Sequence, residues 1–191
     1  MTEGGLESAE EAFAEIERLR EKIASLEDRV RQLDALAHQD ALVPVPNRRG
    51  FLRELDALIG RVSRYGESAA MLFVDIDGLK RINDSFGHKA GDEALVQVAT
   101  VLSDGVRKSD CVARLGGDEF GVLLAHASEE SAAETAQRLT ALIDAHDSHC
   151  DGNRLPLGVA IGITMICAND AADAVIARAD RAMYAQKSAA A

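Results

Sequence analysis

The sequence lacks most of the features that mark secreted, membrane-spanning or zinc-binding proteins. Its three cysteines, Cys111, Cys150 and Cys167, are odd in number and lack metal-ligand spacing, which argues against a disulfide framework and a zinc site. No apolar run approaches the ~20 residues that a membrane span needs, and the acidic start has no apolar signal-peptide core. These absences predict a cytoplasmic protein with reduced thiols and no membrane span.

Charge also narrows the possible partners. The net charge is -11 and there is no basic run, so a nucleic-acid polymer is not an expected ligand. A negatively charged nucleotide would need nearby cationic side chains or metal ions to overcome the repulsion by this net negative charge. With 191 residues, of which 47% are hydrophobic, the chain is large enough for one catalytic domain with a real core and an appendage.

Residues 1–40 carry a heptad repeat. β-Branched residues recur every seven positions and a leucine follows each of them three positions later: Ile16, Leu19, Ile23, Leu26, Val30 and Leu33. This arrangement favours a parallel two-stranded coiled coil, in which opposite charges at the flanking positions attract each other. These attractive pairs are Glu15 with Arg20, Lys22 with Glu27, and Arg29 with Asp34. We therefore expect a dimerisation and signalling helix; the alternative is a single amphipathic helix packed on its own domain.

Helices and apolar strands alternate over residues 41–191. Pro44 and Pro46 end the first helix, and Asn47 is placed to cap the next. Further helices are predicted at 47–65, 79–86, 92–106, 128–145 and 172–187, and strands at 69–74, 111–115, 120–124 and 158–165. This order predicts one α/β or α+β domain with a central sheet.

The stretch Arg114-Leu-Gly-Gly-Asp-Glu-Phe120 places two acidic residues in a glycine turn within a predicted hairpin. Gly116 and Gly117 leave room for another backbone or a phosphate to come close. Asp118 and Glu119 supply hard oxygen ligands, which Mg²⁺ or Mn²⁺ prefers. Taken alone, the pattern also fits a solvated acidic hairpin turn.

A second acidic pair follows the first core strand. Asp75 and Asp77 lie at the end of an apolar run, where open sheets bind ligands. Asp75 is placed to hold a cation, whereas Asp77 has the alternative of capping the next helix. Together with the glycine turn, this pair provides the several carboxylates that metal-assisted phosphoryl chemistry requires.

The segment between these clusters carries residues suited to a purine base. Asn83 provides an amide that donates and accepts, and Asp92 a carboxylate that accepts from a ring N–H and an exocyclic amine. This combination suits guanine. The alternative is that Asn83 ends one helix and Asp92 caps the next.

Taken in order along the chain, these residues resemble the GGDEF family of diguanylate cyclases. The matching stretches are Asp75 to Asp77, Asn83-Asp84, Gly87 to Asp92 and Arg114 to Phe120, with Pro46 to Arg49 and Ile161 to Ile163 as further landmarks. They cover about residues 38 to 188. The resemblance implies a nucleotide-cyclase-like domain, residues 41–191, with a central, mostly antiparallel sheet flanked by helices and preceded by the coiled-coil helix.

The resemblance also implies a reaction. Two GTP molecules become cyclic di-GMP and two pyrophosphates across a homodimer, and two Mg²⁺ or Mn²⁺ ions accompany each GTP. Asp75 and Asp118 are implied metal-ligand carboxylates, and Ile76 contributes its backbone carbonyl. Glu119 is implied as a metal ligand or as the base for the 3′-hydroxyl. The implied substrate contacts are Asn83 and Asp92 for guanine, the backbone at Gly116 and Gly117, and Lys80 and Lys187 for phosphates.

An Arg-x-x-Asp sequence just before the glycine turn resembles the inhibitory site of the family. Arg107 and Asp110 are implied to bind cyclic di-GMP by stacking and by reading a guanine edge, with Arg138 on the next helix as a further partner. The alternative is a helix-terminal arginine and a turn aspartate.

The sequence departs from the family pattern at several positions. Ala191 stands four residues after Lys187, where the family usually has an arginine that reaches the terminal phosphate, so we expect either weaker GTP binding or a sequence trimmed at this end. The other departures are Val43-Pro44 for Thr-Gly, Val45 for leucine, and Gly78 and Leu79 for a bulkier pair.

No departure removes an implied metal ligand. The leading expectation is therefore an active, product-inhibited diguanylate cyclase. The alternative is a catalytically weak GGDEF domain that acts as a receptor for cyclic di-GMP or GTP.

Overall fold

The structure, a computed structural model, describes residues 3–190. The chain divides into two compact units, one ending at Ala37 and the other beginning at His38. Ala191, at the position of the family's arginine, lies outside the described residues. None of the helices over residues 3–190 combines the length and apolar character that a membrane crossing requires.

The described part of the first unit is helical: it belongs to one helix, α1 (Glu3–His38), whose last residue is the first of the second unit. The predicted seam residues are exposed, with relative accessibilities from 44% at Ile16 to 64% at Val30, as a coiled coil requires in the isolated chain. Glu15 and Arg20, which are predicted to meet across a dimer, also have partners within the helix, at Arg18 and Glu17. The dimer itself stays a prediction.

The second unit is built on a four-stranded, fully antiparallel sheet. Its strands are β1 (Ala69–Ile76), β2 (Cys111–Gly116), β3 (Glu119–Ala125) and β6 (Val159–Ile166). Their order across the sheet is β2-β3-β1-β6. Its helices are α2 (Arg48–Tyr65), α3 (Leu79–Phe86), α4 (His88–Asp104), α5 (Glu129–Ala145) and α6 (Ala172–Ala190). This architecture confirms the predicted mixed α/β domain with an antiparallel central sheet flanked by helices.

Helices cover both faces of the sheet because the central strand is apolar on both sides. On one face, Leu72 and Val74 pack with residues of α4 and α5. On the other, Met71 and Phe73 pack with residues of α2 and α6. All four side chains are buried, and a strand buried on both faces reads as a continuous apolar run.

The three cysteines are free.

The structure differs from the sequence prediction around α4. This helix begins at His88 instead of residue 92, because Gly87 alone joins it to α3 with a φ of 85°. Asp92 therefore lies inside the helix and does not cap it. Asp77 does not cap α3 either, since Gly78 occupies the N-cap position and no side chain bonds there.

A small hairpin between α5 and β6 is absent from the sequence prediction. It consists of β4 (His149–Cys150) and β5 (Asn153–Arg154). Strands of two residues carry no alternating pattern, which explains why the sequence does not reveal them. The predicted cap at Asn47 is confirmed, and Ser128 caps the start of α5 in a similar way.

Candidate active site

The glycine turn joins β2 to β3 and uses backbone conformations that favour glycine. β2 ends at Gly116 and β3 begins at Glu119, so Gly117 and Asp118 form the tip. Gly117 has a φ of 53° and Gly116 one of 153°, which would strain most side chains. The strand register also shifts between Arg114 and Gly116. Such bulges redirect neighbouring side chains, here the acidic pair.

Arg114 forms hydrogen bonds that connect this turn to the segment that follows α1. Its Nη2 and Nε atoms donate to the carbonyl oxygen of Gly117, at 2.8 and 3.1 Å. Its Nη1 atom donates to Oδ1 of Asp40 at 3.3 Å, and its backbone N–H donates to the carbonyl of Pro46. Sequence reasoning missed this link, because Asp40 lies 74 residues from Arg114 and no local pattern connects them.

The Asp40–Arg114 pair is largely shielded from solvent, with side-chain accessibilities of 19% and 16%. Burial alone raises the pKa of Asp40. Hydrogen bonds from the backbone amides of Leu42 and Val43, with the charge of Arg114, outweigh this effect and hold the pKa below its ordinary value. The ionised carboxylate therefore stabilises the fold.

We expect Asp40→Asn to lower the free energy of unfolding by about 2 kcal/mol at pH 7, because a charge-assisted hydrogen bond is lost. Urea denaturation measures this difference, with Asp56→Asn on exposed α2 surface as a control of equal charge. A depressed pKa gives stability above the unfolded-state pKa of about 3.9. The difference should therefore shrink only as the pH falls below that value, and equal stability at pH 7 would contradict the role of the pair.

The strand register brings carboxylates together beside the turn. Asp75 on β1 lies directly opposite Glu119 on β3, and residues opposite each other on antiparallel strands have Cβ atoms about 4.5–5.5 Å apart. The backbone amide of Ile76 donates to the carbonyl of Asp118 at 3.1 Å. The acidic pairs of two distant motifs thus form one cluster.

The environment of this cluster disfavours extra negative charge. Burial raises the pKa of Asp75, an effect that the Lys187 ammonium opposes. Burial also raises the pKa of Glu119, and the charges of Asp75, Asp118 and Asp180 raise it further. Half-buried carboxylates that repel one another suit a site that receives a cation.

Lys187 reaches this cluster because α6 lies directly on β6. A Cβ on Gly162 would come within 2.1 Å of the carbonyl oxygen of Ala179, so glycine is needed for this close approach. From α6, the Lys187 ammonium donates to Asp75 and also lies 3.2 Å from Oδ1 of Asp77. The lysine that is predicted to contact phosphates thus lies beside the carboxylates.

The donor set fits Mg²⁺ or Mn²⁺ shared with a phosphate better than a metal held by protein alone. Over residues 3–190, no three His, Cys, Asp or Glu side chains lie close enough together to hold an ion. Mg²⁺ commonly takes one or two carboxylates and completes its shell with phosphate oxygens and water. Asp75, Glu119, Asp118 and the backbone of Ile76 provide such hard oxygen donors.

The predicted base-reading residues lie on adjacent helix ends. Asn83 is half-buried in α3 and packs against Gly91 of α4, the residue before Asp92. Asp92 is exposed. Lys80 is exposed on the first turn of α3, and the part of the chain that is described gives it no ion pair. The structure therefore does not bring Lys80 into contact with the carboxylates.

The three residues of the predicted inhibitory site lie around one small pocket of about 60 Å³: Arg107, Asp110 and Arg138. The Asp110 carboxylate accepts from the backbone amides of Arg107 at 2.9 Å and Ala125 at 3.2 Å. Arg138 donates to the carbonyl of Gly105 at 2.6 Å. Arg107 and Asp110 also line a cleft of about 580 Å³. These contacts also fit the turn-aspartate alternative, so ligand binding there stays a prediction.

Comparison of the sequence with known proteins finds similarity to diguanylate cyclases. The family described as "Diguanylate cyclase, GGDEF domain" matches residues 37–191. Diguanylate cyclase DgcP of Pseudomonas aeruginosa is 36% identical over an alignment of 190 positions, which covers 96% of this chain and 28% of DgcP. Diguanylate cyclase TpbB of the same species is 39% identical over an alignment of 180 positions, which covers 93% of this chain and 41% of TpbB. The chain thus spans less than half the length of these relatives.

Solved structures agree with the fold. The GGDEF domain of TpbB has a TM-score of 0.71 at 40% identity, covering 75% of this chain and 90% of that one. The coiled coil and GGDEF domain of DgcB from Caulobacter crescentus, in complex with c-di-GMP, has a TM-score of 0.85 and covers 92% of this chain and 94% of that one. At 24% identity, the DgcB similarity concerns the fold alone.

Proposed function

Because the chain belongs to the GGDEF domain family, we propose that it condenses two molecules of GTP into cyclic di-GMP and two pyrophosphates. The observation that carries this proposal is the register of β1 and β3, which places Asp75 opposite Glu119 beside the glycine turn. In each half-reaction, the 3′-hydroxyl oxygen of one GTP bonds to the α-phosphorus of the other. The bond between that phosphorus and the pyrophosphate oxygen breaks, and the hydroxyl proton leaves.

We assign the proton transfer to Glu119. Its raised pKa, caused first by burial and then by neighbouring carboxylates, brings it closer to the operating pH, where a general base is most effective. The strand pairing with Asp75 fixes its backbone. Glu119 therefore has a backbone fixed by strand pairing and a carboxylate beside the turn that can accept the 3′-hydroxyl proton.

Two divalent cations per GTP, Mg²⁺ or Mn²⁺, would supply charge neutralisation for the triphosphate and the leaving pyrophosphate. Asp75, Asp118, Glu119 and the Ile76 carbonyl would hold them. Lys187, whose ammonium lies at Asp75 and Asp77, would contact phosphate oxygens, and Lys80 would add a second cationic contact.

Guanine would be read by Asn83 and Asp92, while the bare backbone of Gly116 and Gly117 lets the nucleotide approach the turn. The carboxylate of Asp92 accepts from the ring N–H and the exocyclic amine, which adenine does not offer together. The pairing of an acidic reader with an amide therefore favours GTP over ATP.

We propose that α1 joins two copies as a parallel coiled coil. One domain holds one GTP and thus supplies half of the reacting groups. Tethering a second copy raises the effective concentration of the other half. The exposed, regularly spaced apolar seam of α1 supports this proposal.

The cytoplasmic location suggested by the sequence stays a prediction.

Incubation of the protein with GTP and Mg²⁺, followed by chromatography of the products, tests the proposed reaction. Cyclic di-GMP and pyrophosphate should form in a ratio of one to two. Absence of product at high protein concentration would overturn the enzymatic proposal, and tight binding of added cyclic di-GMP by the same inactive protein would indicate a receptor.

Product inhibition is proposed at Arg107, Asp110 and Arg138. These side chains meet at one pocket, and the adjoining cleft of about 580 Å³ has the size of typical small-molecule sites. Arginine guanidinium groups suit both phosphate contacts and stacking on a base. A product molecule bound there would couple cyclic di-GMP concentration to activity.

We expect Arg107→Ala to raise the inhibition constant for cyclic di-GMP by about 10–100-fold, because a charged hydrogen-bonding partner is lost. The turn should persist, since Asp110 accepts from the backbone amide of Arg107, which alanine retains. Initial rates at increasing added cyclic di-GMP measure the effect. Arg64→Ala, the same change at an exposed arginine of α2 that lines neither the small pocket nor the cleft, is the matched control. An unchanged inhibition constant in Arg107→Ala would exclude this site.

A further inference from the structure

The helices α3 and α4 are joined by one residue, and this brings two residues at equal distance from the joint into contact. Asn83 lies four residues before Gly87 and Gly91 four residues after it. The amide of Gly87 donates to the carbonyl of Asn83 at 2.9 Å, and the amide of Gly91 donates to the carbonyl of Gly87 at 3.4 Å. The last turn of α3 therefore lies against the first turn of α4.

The Asn83 carboxamide rests on the bare α-carbon of Gly91. A Cβ added to Gly91 would lie 2.0 Å from Oδ1 of Asn83, 2.9 Å from Cγ and 3.2 Å from Nδ2. A contact of 2.0 Å is far inside the sum of van der Waals radii. Any other residue at position 91 would therefore displace the carboxamide.

Backbone conformation does not explain this glycine. The left-handed glycines of the described chain include Gly87 but not Gly91, which lies in a regular helix. Alanine is the better helix former at such a position. The contact with Asn83 is thus the structural reason for glycine at position 91.

Packing, and not hydrogen bonding, orients the Asn83 side chain. Over residues 3–190, its carboxamide receives and donates no hydrogen bond within the protein. No hydrogen bond within the described protein occupies its donor and acceptor atoms, and its position depends on the surface that Gly91 offers. Asp92 follows Gly91 directly, so the same helix turn carries the second proposed guanine reader.

We propose that Gly91 is a positioning residue for guanine selection: it leaves the space in which the Asn83 carboxamide takes its base-reading orientation. This inference rests on the proposed function, since it presumes a guanine nucleotide as the ligand. It predicts that a single methyl group at position 91 weakens recognition of guanine without touching the metal or phosphate contacts.

The test is a double-mutant cycle with Gly91→Ala, Asn83→Ala and the double variant. Binding of α,β-methylene GTP and α,β-methylene ATP in Mg²⁺ is measured by calorimetry, because these analogues bind without turnover. Gly60→Ala on α2 is the matched control, since a Cβ there meets nothing within 4 Å. Thermal unfolding of each variant is recorded in parallel.

We expect Gly91→Ala to weaken binding of the GTP analogue about tenfold, the effect of one lost hydrogen bond, and to leave binding of the ATP analogue unchanged. In the Asn83→Ala background, Gly91→Ala should have no further effect on affinity, because the displaced group is gone. The double variant also relieves the clash, so it should fold even if the single variant is destabilised.

The outcomes separate the two proposals. The inference about Gly91 fails if Gly91→Ala binds the GTP analogue as tightly as Gly60→Ala does. It also fails if Gly91→Ala weakens binding equally in the presence and absence of the Asn83 side chain. Neither result contradicts the proposed function. A wild-type protein that binds neither analogue, or binds both equally, overturns the proposed guanine substrate and this inference with it.

Discussion

Replacement of Glu119 by glutamine should lower the rate of cyclic di-GMP synthesis by about 10²–10⁴-fold, the typical contribution of a general base. Glutamine keeps the size of the side chain but cannot accept the 3′-hydroxyl proton, and it is a poorer ligand for a divalent cation. The fold should not suffer. The raised pKa of Glu119 means that its negative charge opposes folding at neutral pH, so removing the charge should maintain or increase stability.

Two measurements distinguish loss of catalysis from loss of structure. The initial rate of cyclic di-GMP formation is compared with the thermal unfolding midpoint of the same preparation. Glu134→Gln, an identical change on the exposed surface of α5, is the matched control and should retain the full rate. A Glu119→Gln protein with more than a tenth of the wild-type rate would remove Glu119 from the proposed mechanism.

Introducing a charge into the seam of α1 should make the reaction depend steeply on protein concentration. Leu26 occupies a leucine position of the heptads and is 54% exposed in the single chain. In Leu26→Glu, two negative charges would face each other across a parallel dimer, which strongly disfavours association. At micromolar protein we expect about 10²-fold less product per molecule, because linked partners gain at least this factor in effective concentration.

Product formation over a range of protein concentrations measures this effect. The wild-type rate should rise in proportion to protein once dimers form, whereas the variant rate should rise with the square of the concentration. Ser25→Glu places the same charge on the neighbouring position, which faces away from the seam, and should behave as wild type. An unaltered Leu26→Glu rate at every concentration would exclude α1 as the dimerisation element.

Short-range sequence patterns correctly predicted those helices and strands whose limits depend only on neighbouring residues. The apolar run of β1 and the cap at Asn47 follow from hydrophobic burial and from hydrogen bonding within a few residues. The start of α4 does not, because a single glycine in a left-handed conformation replaces the longer turn that glycine-rich sequence suggests. Helix ends are decided by such single dihedral angles, which sequence spacing does not encode.

For the candidate site, residue types were predictable and their contacts were not. The sequence motifs identified Asp75 and Glu119 as candidate site residues. Only the pairing of β1 with β3 shows that the two residues lie opposite each other. The contact of Asn83 with Gly91 and that of Arg114 with Asp40 arise from tertiary packing. No periodicity in the sequence records either of them.

The tie between Arg114, Asp40 and Pro46 has a consequence for evolution by recombination. Although the segment from Gln39 to Asn47 reads as a connector, its hydrogen bonds make it an integral part of the second unit. A gene fusion that exchanges one sensory input for another would keep an intact turn only if the crossover falls upstream of this segment. The hydrogen bonds of Arg114 would thus constrain where domains can be exchanged in this family, whereas helix α1 would not.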